Sequence, residues 1–389
     1  MPDSITTQDS VTLRNVRALL PEGFQDGVTI AIHDGRITEI GDGAGPAAAV
    51  DIDGSGLTVM PGLIDLHGDA FEREMAPRPG CGFPLDLAIE SNDANLISAG
   101  ITTFYYSITD GFEPSVRNRA TVRGLLDAIE ARRDRLVADS RIHIRHECVA
   151  TDDHDELLSW ITDRRIDLLS LNDHLPMPGD TGKLDRYRAG AQRRFTMSPD
   201  DLERFIADRQ SRRDLGYAQT VELAAAAHAA GVALASHDER TAEDAARAEE
   251  LGVRICEFPL TAECAEKGLA RGAAVVMGAP NLVRGGSHVG GTSVRDEIAE
   301  GRVSILVSDY FYPSLLRAPF LIAELGLLPL EKAWELVSGN PAEAVGLGAR
   351  KGRIAVGADA DLIGFRGASG LAGDIALVSA RNRLRRTAA

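Results

Sequence analysis

Short runs of alternating apolar and polar residues lie near both ends of the chain. They cover residues 11–16, 28–32 and 36–40 near the N-terminus and 352–365 near the C-terminus. Successive side chains of a strand point to opposite faces, so this alternation predicts strands with one buried face. We therefore predict a small β-sandwich domain built from both termini, residues 1–57 together with residues 350–389.

Between residues 58 and 349 the pattern changes to short apolar runs that alternate with longer segments of helical periodicity. Helices are predicted, for example, over 116–137, 201–213 and 220–230, with Ser198 and Pro199 as the start signal of the second. The predicted strands are 58–66, 101–107, 141–148, 167–172, 232–236, 253–258, 273–277 and 303–308. Eight strands alternating with helices predict an α/β fold, a TIM-like (β/α)₈ barrel over 58–349.

Composition and charge narrow the classes of partner. Apolar residues make up 44% of the chain and charged residues 26%, which is typical of a globular protein. The net charge of −16, from 42 basic and 58 acidic residues, argues against nucleic acid or an anionic membrane as the main partner. A small anionic substrate stays compatible with this charge because a pocket can be locally basic.

Cysteine spacing and the absence of targeting signals predict a cytoplasmic protein. The four cysteines show no CxxC pair, so neither a zinc knuckle nor a disulfide framework is indicated. The N-terminal residues lack a basic region followed by an apolar core, and no apolar stretch is long enough to span a bilayer. The oligomeric state is left open, a homo-oligomer included.

Histidines and acids stand where the predicted barrel strands end. In this fold catalytic residues lie at the carboxyl ends of the strands. These ends offer six candidate metal ligands: His67, Asp69, Glu147, His174, His237 and Asp309. A single His or Asp at such a position is more often a structural group, but five strands ending in this way favour a shared site. Imidazole and carboxylate at this density suit a borderline divalent cation, zinc ahead of manganese or iron.

Six ligands are too many for one tetrahedral zinc and suit two bridged ions. Two cations lower the pKa of a water held between them toward neutrality. Asp309 is the predicted catalytic residue, a carboxylate that orients this water or carries its proton. Asp173 and Asp238 flank ligands and are interpreted as their supports, whereas His143 is expected to lie outside the site.

Several stretches carry a resemblance to a known family. Residues 61–67 and 352–362 resemble the two ends of the barrel in the amidohydrolase superfamily. More specific stretches are similar to the phosphonate-metabolism branch of that superfamily: 66–69 with 76–80, 235–238, 257–259, 277–288, 308–310 and 313–316. The resemblance extends from about residue 11 to residue 366, and the segment 277–288 is its most distinctive part.

The resemblance implies a metal-dependent hydrolase that cuts a ribosyl triphosphate to the 5-phosphate and pyrophosphate in phosphonate catabolism. A phosphate cradle is compatible with the residues themselves, since a guanidinium, two glycines and further donors follow one another after residue 283. The predicted substrate-binding residues are Arg78, Asn281, Arg284, Gly285, Gly286, Ser287 and His288. A basic cluster between Lys183 and Arg194 is interpreted equally well as a phosphate contact and as a solvated helix face.

Two other functions stay open. The same binuclear site would serve a deacetylase or deaminase that acts on a small amide or amine, and a non-enzymatic scaffold would keep the fold without using the ligands. The chain departs from the pattern of the branch near Tyr105, Asn172 and Cys148, which border the predicted pocket. The identity of the substrate is therefore the open question at this point.

Overall fold

The terminal segments form one mixed β-sheet. The computed structural model describes residues 5–7, 9–78, 80–194, 196–286, 293–367, 370–371 and 374–386. Within these ranges the sheet has nine strands: β1 (Ile5–Thr7), β2 (Ser10–Leu20), β3 (Gly23–His33), β4 (Arg36–Gly41), β5 (Val50–Asp53), β6 (Thr58–Pro61), β15 (Leu362–Phe365), β16 (Ile375–Ala380) and β17 (Arg383–Arg386). The prediction that both ends of the chain build one β structure is confirmed.

The strand order in this sheet interleaves the two ends of the chain. It runs β1-β17-β16-β15-β6-β2-β3-β4, with β5 beside β2. β15 pairs antiparallel with β6, and β17 pairs antiparallel with β1. Buried aliphatic side chains from both ends, among them Leu13, Ile30, Ile354 and Leu362, pack in one core cluster. Hydrophobic burial therefore holds the N-terminal and C-terminal strands together.

The central part of the chain supplies eight parallel strands. They are β7 (Leu63–Gly68), β8 (Ile101–Asp110), β9 (Asp139–Glu147), β10 (Leu168–Asn172), β11 (Ala233–His237), β12 (Ile255–Glu257), β13 (Ala274–Gly278) and β14 (Ile305–Val307). The strands follow one another in chain order across the sheet, and a parallel bridge between Gly68 and Asp309 joins its first and last strands. The predicted (β/α)₈ barrel is confirmed.

Gly62 separates the terminal sheet from the first barrel strand. A Cβ atom at this position would lie 2.2 Å from Thr102 Oγ1, so any larger residue would push β8 away. The Gly62 amide instead donates to the carbonyl of Asp361 at 2.8 Å. The single strand predicted over 58–66 was therefore wrong, because its first half belongs to the terminal sheet and its second half to the barrel.

Helices connect the barrel strands. The described helices are α1 (Glu72–Met75), α2 (Leu85–Ser98), α3 (Arg119–Arg132), α4 (His154–Thr162), α5 (Thr181–Arg194), α6 (Pro199–Ser211), α7 (Arg213–Ala230), α8 (Ala242–Glu250), α9 (Ala262–Ala270), α10 (Ala279–Arg284), α11 (Val294–Ala299), α12 (Pro313–Glu324), α13 (Leu330–Glu335) and α14 (Gly339–Ala344). The Ser198 hydroxyl caps α6, as predicted, by accepting from the amide of Asp201. Across the described ranges no helix has the length and apolar character needed to cross a membrane.

The chain forms two compact units. The first comprises Met1–Tyr106, Ala131–Arg141 and Ala274–Ala389, and the second comprises Ser107–Glu130 and Ile142–Ala273. The first contains the terminal sheet with β7, β13 and β14, and the second contains β10, β11 and β12. The division into a composite β domain and a barrel domain at residues 57/58 and 349/350 stays a prediction.

Asp110 anchors a buried charge network in the second unit. It accepts hydrogen bonds from Arg119 Nε and Nη2 at 2.7 and 2.6 Å, and its Oδ2 lies 2.7 Å from His146 Nδ1. Burial alone would raise the pKa of Asp110, but His146 and Arg119 together hold it below the ordinary value of an aspartate. The carboxylate is therefore ionised and fully paired, which is the condition for keeping a charge inside a protein.

We expect Asp110→Asn to lower the free energy of unfolding by about 3 kcal/mol at pH 7, because it removes the nearest charge partner of both Arg119 and His146 and leaves Arg119 only the more distant Glu156, 3.7 Å away. The pKa of Asp110 is lower in the folded protein than in the unfolded chain, where it is about 4. The ionised carboxylate therefore stabilises the fold above about pH 4, and this contribution is lost as the pH falls through the pKa of the folded state. The difference between Asp110→Asn and wild type should therefore persist from pH 7 to about pH 4 and shrink below it. Urea unfolding followed by circular dichroism at a series of pH values measures this.

The control is Asp127→Asn, which removes a carboxylate that is 64% exposed and paired with Arg165 in the same unit. It should change stability by less than about 0.5 kcal/mol at every pH. Equal effects of the two substitutions at pH 7 would contradict the role given to Asp110.

Candidate metal centre

Three side chains in the second unit converge at the ends of β10 and β11. His174 follows β10, His237 ends β11 and Asp238 comes directly after it. One ligand atom from each of the three lies within 4.8 Å of the others. Asp238 has a φ of +57°, a left-handed conformation that aspartate tolerates better than most residues. The turn at Asp238 thus brings a carboxylate beside two imidazoles.

His174 is held between two carboxylates. Its Nδ1 forms a short hydrogen bond with Glu147, its backbone amide donates to Glu147 Oε2 at 3.0 Å, and its Nε2 lies 3.7 Å from Asp238 Oδ2. Burial alone would lower the pKa of His174, but Glu147 and Asp238 raise it to about 9. Burial would likewise raise the pKa of Glu147, which His174 and Arg145 instead lower. Glu147 therefore holds the Nδ1 side of the His174 ring, and Asp238 faces its Nε2 side.

His237 is oriented as a neutral ligand. Its Nδ1 lies 3.3 Å from Glu257 Oε2, and its Nε2 lies 3.3 Å from Arg145 Nη2. Burial lowers the pKa of His237, so the ring is neutral. With Nδ1 donating to Glu257, Nε2 carries the lone pair, which faces Arg145 Nη2 and which a cation would use after displacing that guanidinium. A carboxylate behind a histidine in this way is a recurrent support of metal ligands.

Glu257 is a further candidate site residue that the sequence interpretation did not name. It closes β12, is fully buried, and accepts a hydrogen bond from Ser170 Oγ at 3.1 Å besides its contact with His237. Its position at a strand end is the signal that identified the other candidates. Applying the same rule to the sixth barrel strand finds it.

His143 lies inside the barrel, and the expectation that it lies outside the site is wrong. Its Nδ1 is 3.0 Å from Ser107 Oγ, and its Nε2 is 3.9 Å from Glu257 Oε2. Residues 143 and 147 are four positions apart on one strand, and the two-residue period therefore gives them the same face. His143 thus belongs to the polar layer that supports Glu257.

The first unit brings three other predicted residues together. The amide of Asp309 donates to the carbonyl of His67, and the amide of Asp69 donates to the carbonyl of Asp309, both at 2.9 Å. Asp309 has a φ of +54°, which turns the chain at the end of β14. Beneath them Asp65 accepts from the amides of His67 and Ser308, and burial raises the pKa of this carboxyl to about 6. The backbone between β7 and β14 therefore fixes His67, Asp69 and Asp309 relative to one another.

The structure describes part of the predicted phosphate cradle, up to Gly286. Arg284 ends α10 and donates from Nη1 to the Tyr310 hydroxyl at 3.1 Å, next to Asp309 in the chain. Gly285 caps this helix with a φ of +80°. A Cβ atom there would lie 3.3 Å from Arg295 Nη2, so Arg295 is a second guanidinium at this turn that the sequence interpretation missed.

The other predicted substrate-binding residues differ in position. Asn281 lies on α10, and its buried Oδ1 has no hydrogen-bond partner among the described residues. Gly286 follows Gly285 and is exposed, and a Cβ atom there would meet nothing within 4 Å. Arg78 is exposed in a turn that bridges to Cys81. Ser287 and His288 lie outside the described residues.

The donor set fits a divalent cation. Two imidazoles and a carboxylate within 4.8 Å are ligands that suit zinc, manganese or iron, and the hydrogen bond to Glu257 leaves His237 Nε2 as the ligand atom. His67, Asp69 and Asp309 supply the same donor types in the first unit. That all six predicted ligands serve one site stays a prediction.

Comparisons with known proteins agree with this chemistry. A model of the amidohydrolase family matches residues 58–378, and a model of the N-terminal domain of formimidoylglutamate deiminase HutF matches residues 15–51. Alpha-D-ribose 1-methylphosphonate 5-triphosphate diphosphatase from Escherichia coli (strain K12) is 32% identical over 362 residues, which cover 90% of this chain and 94% of that enzyme. Homology therefore extends over almost the whole chain.

Solved structures share the fold at low identity. A Xaa-Pro dipeptidase with bound methionine in its active site matches with a TM-score of 0.66 at 16% identity, covering 97% of this chain and all of that one. L-hydantoinase from Arthrobacter aurescens matches with a TM-score of 0.60 at 17% identity, covering 91% of this chain and 86% of that one. At these identities the matches concern the fold alone.

We expect His237→Ala to weaken binding of zinc or manganese at least tenfold, because it removes one ligand and leaves Glu257 without its imidazole partner. Metal content after dialysis, measured by inductively coupled plasma mass spectrometry, and calorimetric titration of the apoprotein check this. The matched control is His154→Ala, since His154 lies on α4 and pairs with Glu222. Equal metal content in the two variants would show that His237 is not a ligand.

Proposed function

Because this chain belongs to the amidohydrolase family, we propose that it uses divalent cations to hydrolyse a phosphoanhydride bond of a ribosyl triphosphate. The proposed substrate is alpha-D-ribose 1-methylphosphonate 5-triphosphate, and the products are the 5-phosphate and pyrophosphate. The observation that carries the proposal is the 32% identity to the Escherichia coli diphosphatase over 90% of this chain. The reaction adds one water across a P–O–P bond, forming one P–O bond and breaking another.

The proposed cofactor is a pair of divalent cations, zinc first and manganese or iron as alternatives. His67, Asp69, Glu147, His174, His237 and Asp309 are the residues proposed to hold them, with Asp238 and Glu257 added by the contacts described above. When bound, such cations lower the pKa of water and neutralise charge on phosphoryl oxygens. Glu257 keeps the His237 ring in the orientation that presents Nε2, and Glu147 does the same for His174 through Nδ1.

Asp309 is proposed to accept the proton of the attacking water. Its backbone is held at the end of β14 by hydrogen bonds to the backbone of His67 and Asp69. A carboxylate at this place accepts the proton of the attacking water and passes it to the departing oxygen. Arg284 is proposed to bind non-bridging phosphate oxygens with the exposed turn at Gly285 and Gly286, and Arg295 adds charge nearby.

The alternative is hydrolysis of a small amide or amine by the same donors. A small anionic substrate remains the proposed partner, without nucleic acid or membrane. The four cysteines are free, which is compatible with the reducing cytoplasm as the proposed compartment.

The deciding assay compares the two reaction classes. Protein loaded with zinc or manganese is incubated with the ribosyl triphosphate, with ATP and with a panel of N-acyl compounds and cyclic amides. We expect pyrophosphate release from the ribosyl triphosphate and none after chelation. Ammonia or amine release without pyrophosphate would reject the phosphoanhydride reaction and favour the alternative.

Asp309→Asn should lower kcat at least a hundredfold, because the amide cannot accept a proton. Circular dichroism and metal content should stay close to those of the wild type, since asparagine keeps the shape and one oxygen. Asp127→Asn serves as the control with unchanged kcat. An Asp309→Asn enzyme with full activity would remove Asp309 from the mechanism.

Arg284→Ala should raise KM for the triphosphate about tenfold or more, since a charged hydrogen-bonding group lost from a substrate contact costs about 1.5–3 kcal/mol. Arg284→Lys should give a smaller rise because it keeps the charge and loses the planar fork. Arg350→Ala removes a guanidinium that is 58% exposed in the terminal segment and is expected to leave KM unchanged. The cradle assignment fails if Arg284→Ala and Arg350→Ala have the same KM.

A further inference from the structure

Phe258 has a backbone conformation that aromatic residues rarely adopt. It comes directly after Glu257, the last residue of β12, and its φ is +51°. This left-handed region is costly for a bulky side chain, whereas glycine, asparagine and aspartate tolerate it. The next residue is Pro259, and a proline favours extended conformations in the residue before it. Phe258 is therefore strained for two independent reasons, and strain of this kind concentrates at functional sites.

Two backbone hydrogen bonds hold the turn at Phe258 in place. The amide of Asp238 donates to the carbonyl of Glu257 before the turn, and the amide of Leu260 donates to the carbonyl of Glu239 after it, both at 2.9 Å. These bonds join the turn that follows β12 to the turn that follows β11. A strained conformation persists only where its surroundings fix it, and the two bonds supply that condition.

The left-handed turn changes the side to which the Phe258 ring points. Neighbouring residues of an extended strand point to opposite faces, so a regular continuation of β12 would turn Phe258 away from the face of Glu257. Both side chains instead reach His237. Glu257 Oε2 lies 3.3 Å from its Nδ1, and the Phe258 ring lies edge-to-face with the imidazole, with centroids 5.3 Å apart and planes at 70°. The strain thus brings a second contact to the ring of a candidate metal ligand.

The polar contacts of His237 hold its ring only loosely. The distances from Nδ1 to Glu257 and from Nε2 to Arg145 are both 3.3 Å, beyond the usual range of about 2.7–3.2 Å for a hydrogen bond from nitrogen. The χ2 torsion of a histidine, which sets the plane of its ring, has broad energy wells. Aromatic neighbours restrict this rotation, and the rings of Phe258 and His174 both lie edge-to-face with His237.

We propose that Phe258 is a positioning residue of the metal centre. Its ring keeps the His237 imidazole in the plane in which Glu257 holds Nδ1 and Nε2 is left for a cation. This assignment rests on the proposed function, because it takes His237 as a cation ligand. It predicts two separable effects: the Phe258 ring increases the affinity for the metal, and the Phe258 backbone lowers the stability of the fold.

Two substitutions separate the ring from the strain. Phe258→Ala removes the ring and keeps a side chain that is unfavourable at this φ, whereas Phe258→Gly removes both. Phe258→Gly should therefore melt about 2 °C above Phe258→Ala in thermal unfolding of the apoprotein. Calorimetric titration should show that zinc or manganese binds about three- to tenfold more weakly to both variants than to wild type. Phe258→Tyr, which keeps the ring, should bind the metal within about twofold of wild type.

Phe205→Ala is the matched control. Phe205 is likewise half-buried in the second unit, but it lies on α6 and stacks on Phe112 with ring centroids 6.0 Å apart. The substitution should lower the melting temperature through lost packing and leave the affinity for zinc or manganese unchanged. An equal loss of metal affinity in Phe205→Ala and Phe258→Ala would indicate general destabilisation and would overturn the proposal.

A spectroscopic test observes the His237 ring without metal and without turnover. Long-range proton–nitrogen NMR spectra of the apoprotein, labelled with nitrogen-15 in its histidines, report the tautomer of each neutral imidazole, and His237→Ala assigns the signals. Wild type and Phe258→Tyr should show a His237 ring with its proton on Nδ1. Phe258→Ala and Phe258→Gly should show shifts averaged between the two tautomers, because the ring is then free to rotate away from Glu257.

The outcomes distinguish this assignment from the proposed function. Unchanged metal affinity or an unchanged His237 tautomer in Phe258→Ala would overturn the assignment, even where His237→Ala loses the metal as expected. A Phe258→Gly variant that melts no higher than Phe258→Ala would reject the link to backbone strain. Metal affinity that depends on the Phe258 ring, without any release of pyrophosphate, would reject the reaction and keep the assignment. Absence of metal binding in wild type would reject both.

Discussion

A charge inside a protein is stable only when it is paired, and this constraint organises the ends of the barrel strands. Burial raises the pKa of Glu147, but the hydrogen bond and the charge of His174 lower it, so the carboxylate stays ionised. Asp110 meets the same requirement one strand earlier with His146 and Arg119. Imidazoles therefore accompany the buried carboxylates for electrostatic reasons, and a divalent cation can later replace the proton that such a pair holds.

Much of this arrangement could be predicted because it follows from local rules. Apolar runs of strand length, separated by helical segments, were enough to predict eight barrel strands, and the strand ends gave the candidate ligands. The break at Gly62 escaped prediction because it depends on the distance to Thr102, which lies 40 positions later in the chain. His143 was misplaced by an error in applying the two-residue period, whereas Glu257 was overlooked although the rule covers it.

Contacts between residues that are far apart in the chain could not be predicted from the sequence. Nothing around Arg247 in the chain indicates that Tyr217 holds it, or that Asp173 is already neutralised by Arg213. Arg295 likewise becomes relevant only because Gly285 leaves room beside it. Solved structures at 16–17% identity share this fold, and a shared fold does not determine a substrate.

The interleaved strand order of the terminal sheet has a consequence for how the protein is made. β6 lies between β2 and β15, and β1 pairs only with β17 along the described path of the sheet. During synthesis the early strands leave the ribosome about 300 residues before their late neighbours exist, judged from the order of the elements along the chain. Their edges and apolar faces therefore stay exposed while the whole barrel is translated. Unpaired strand edges of this kind can pair with other chains. The sheet that closes last is therefore where nascent chains need protection, by a chaperone or by rapid synthesis of the final segment.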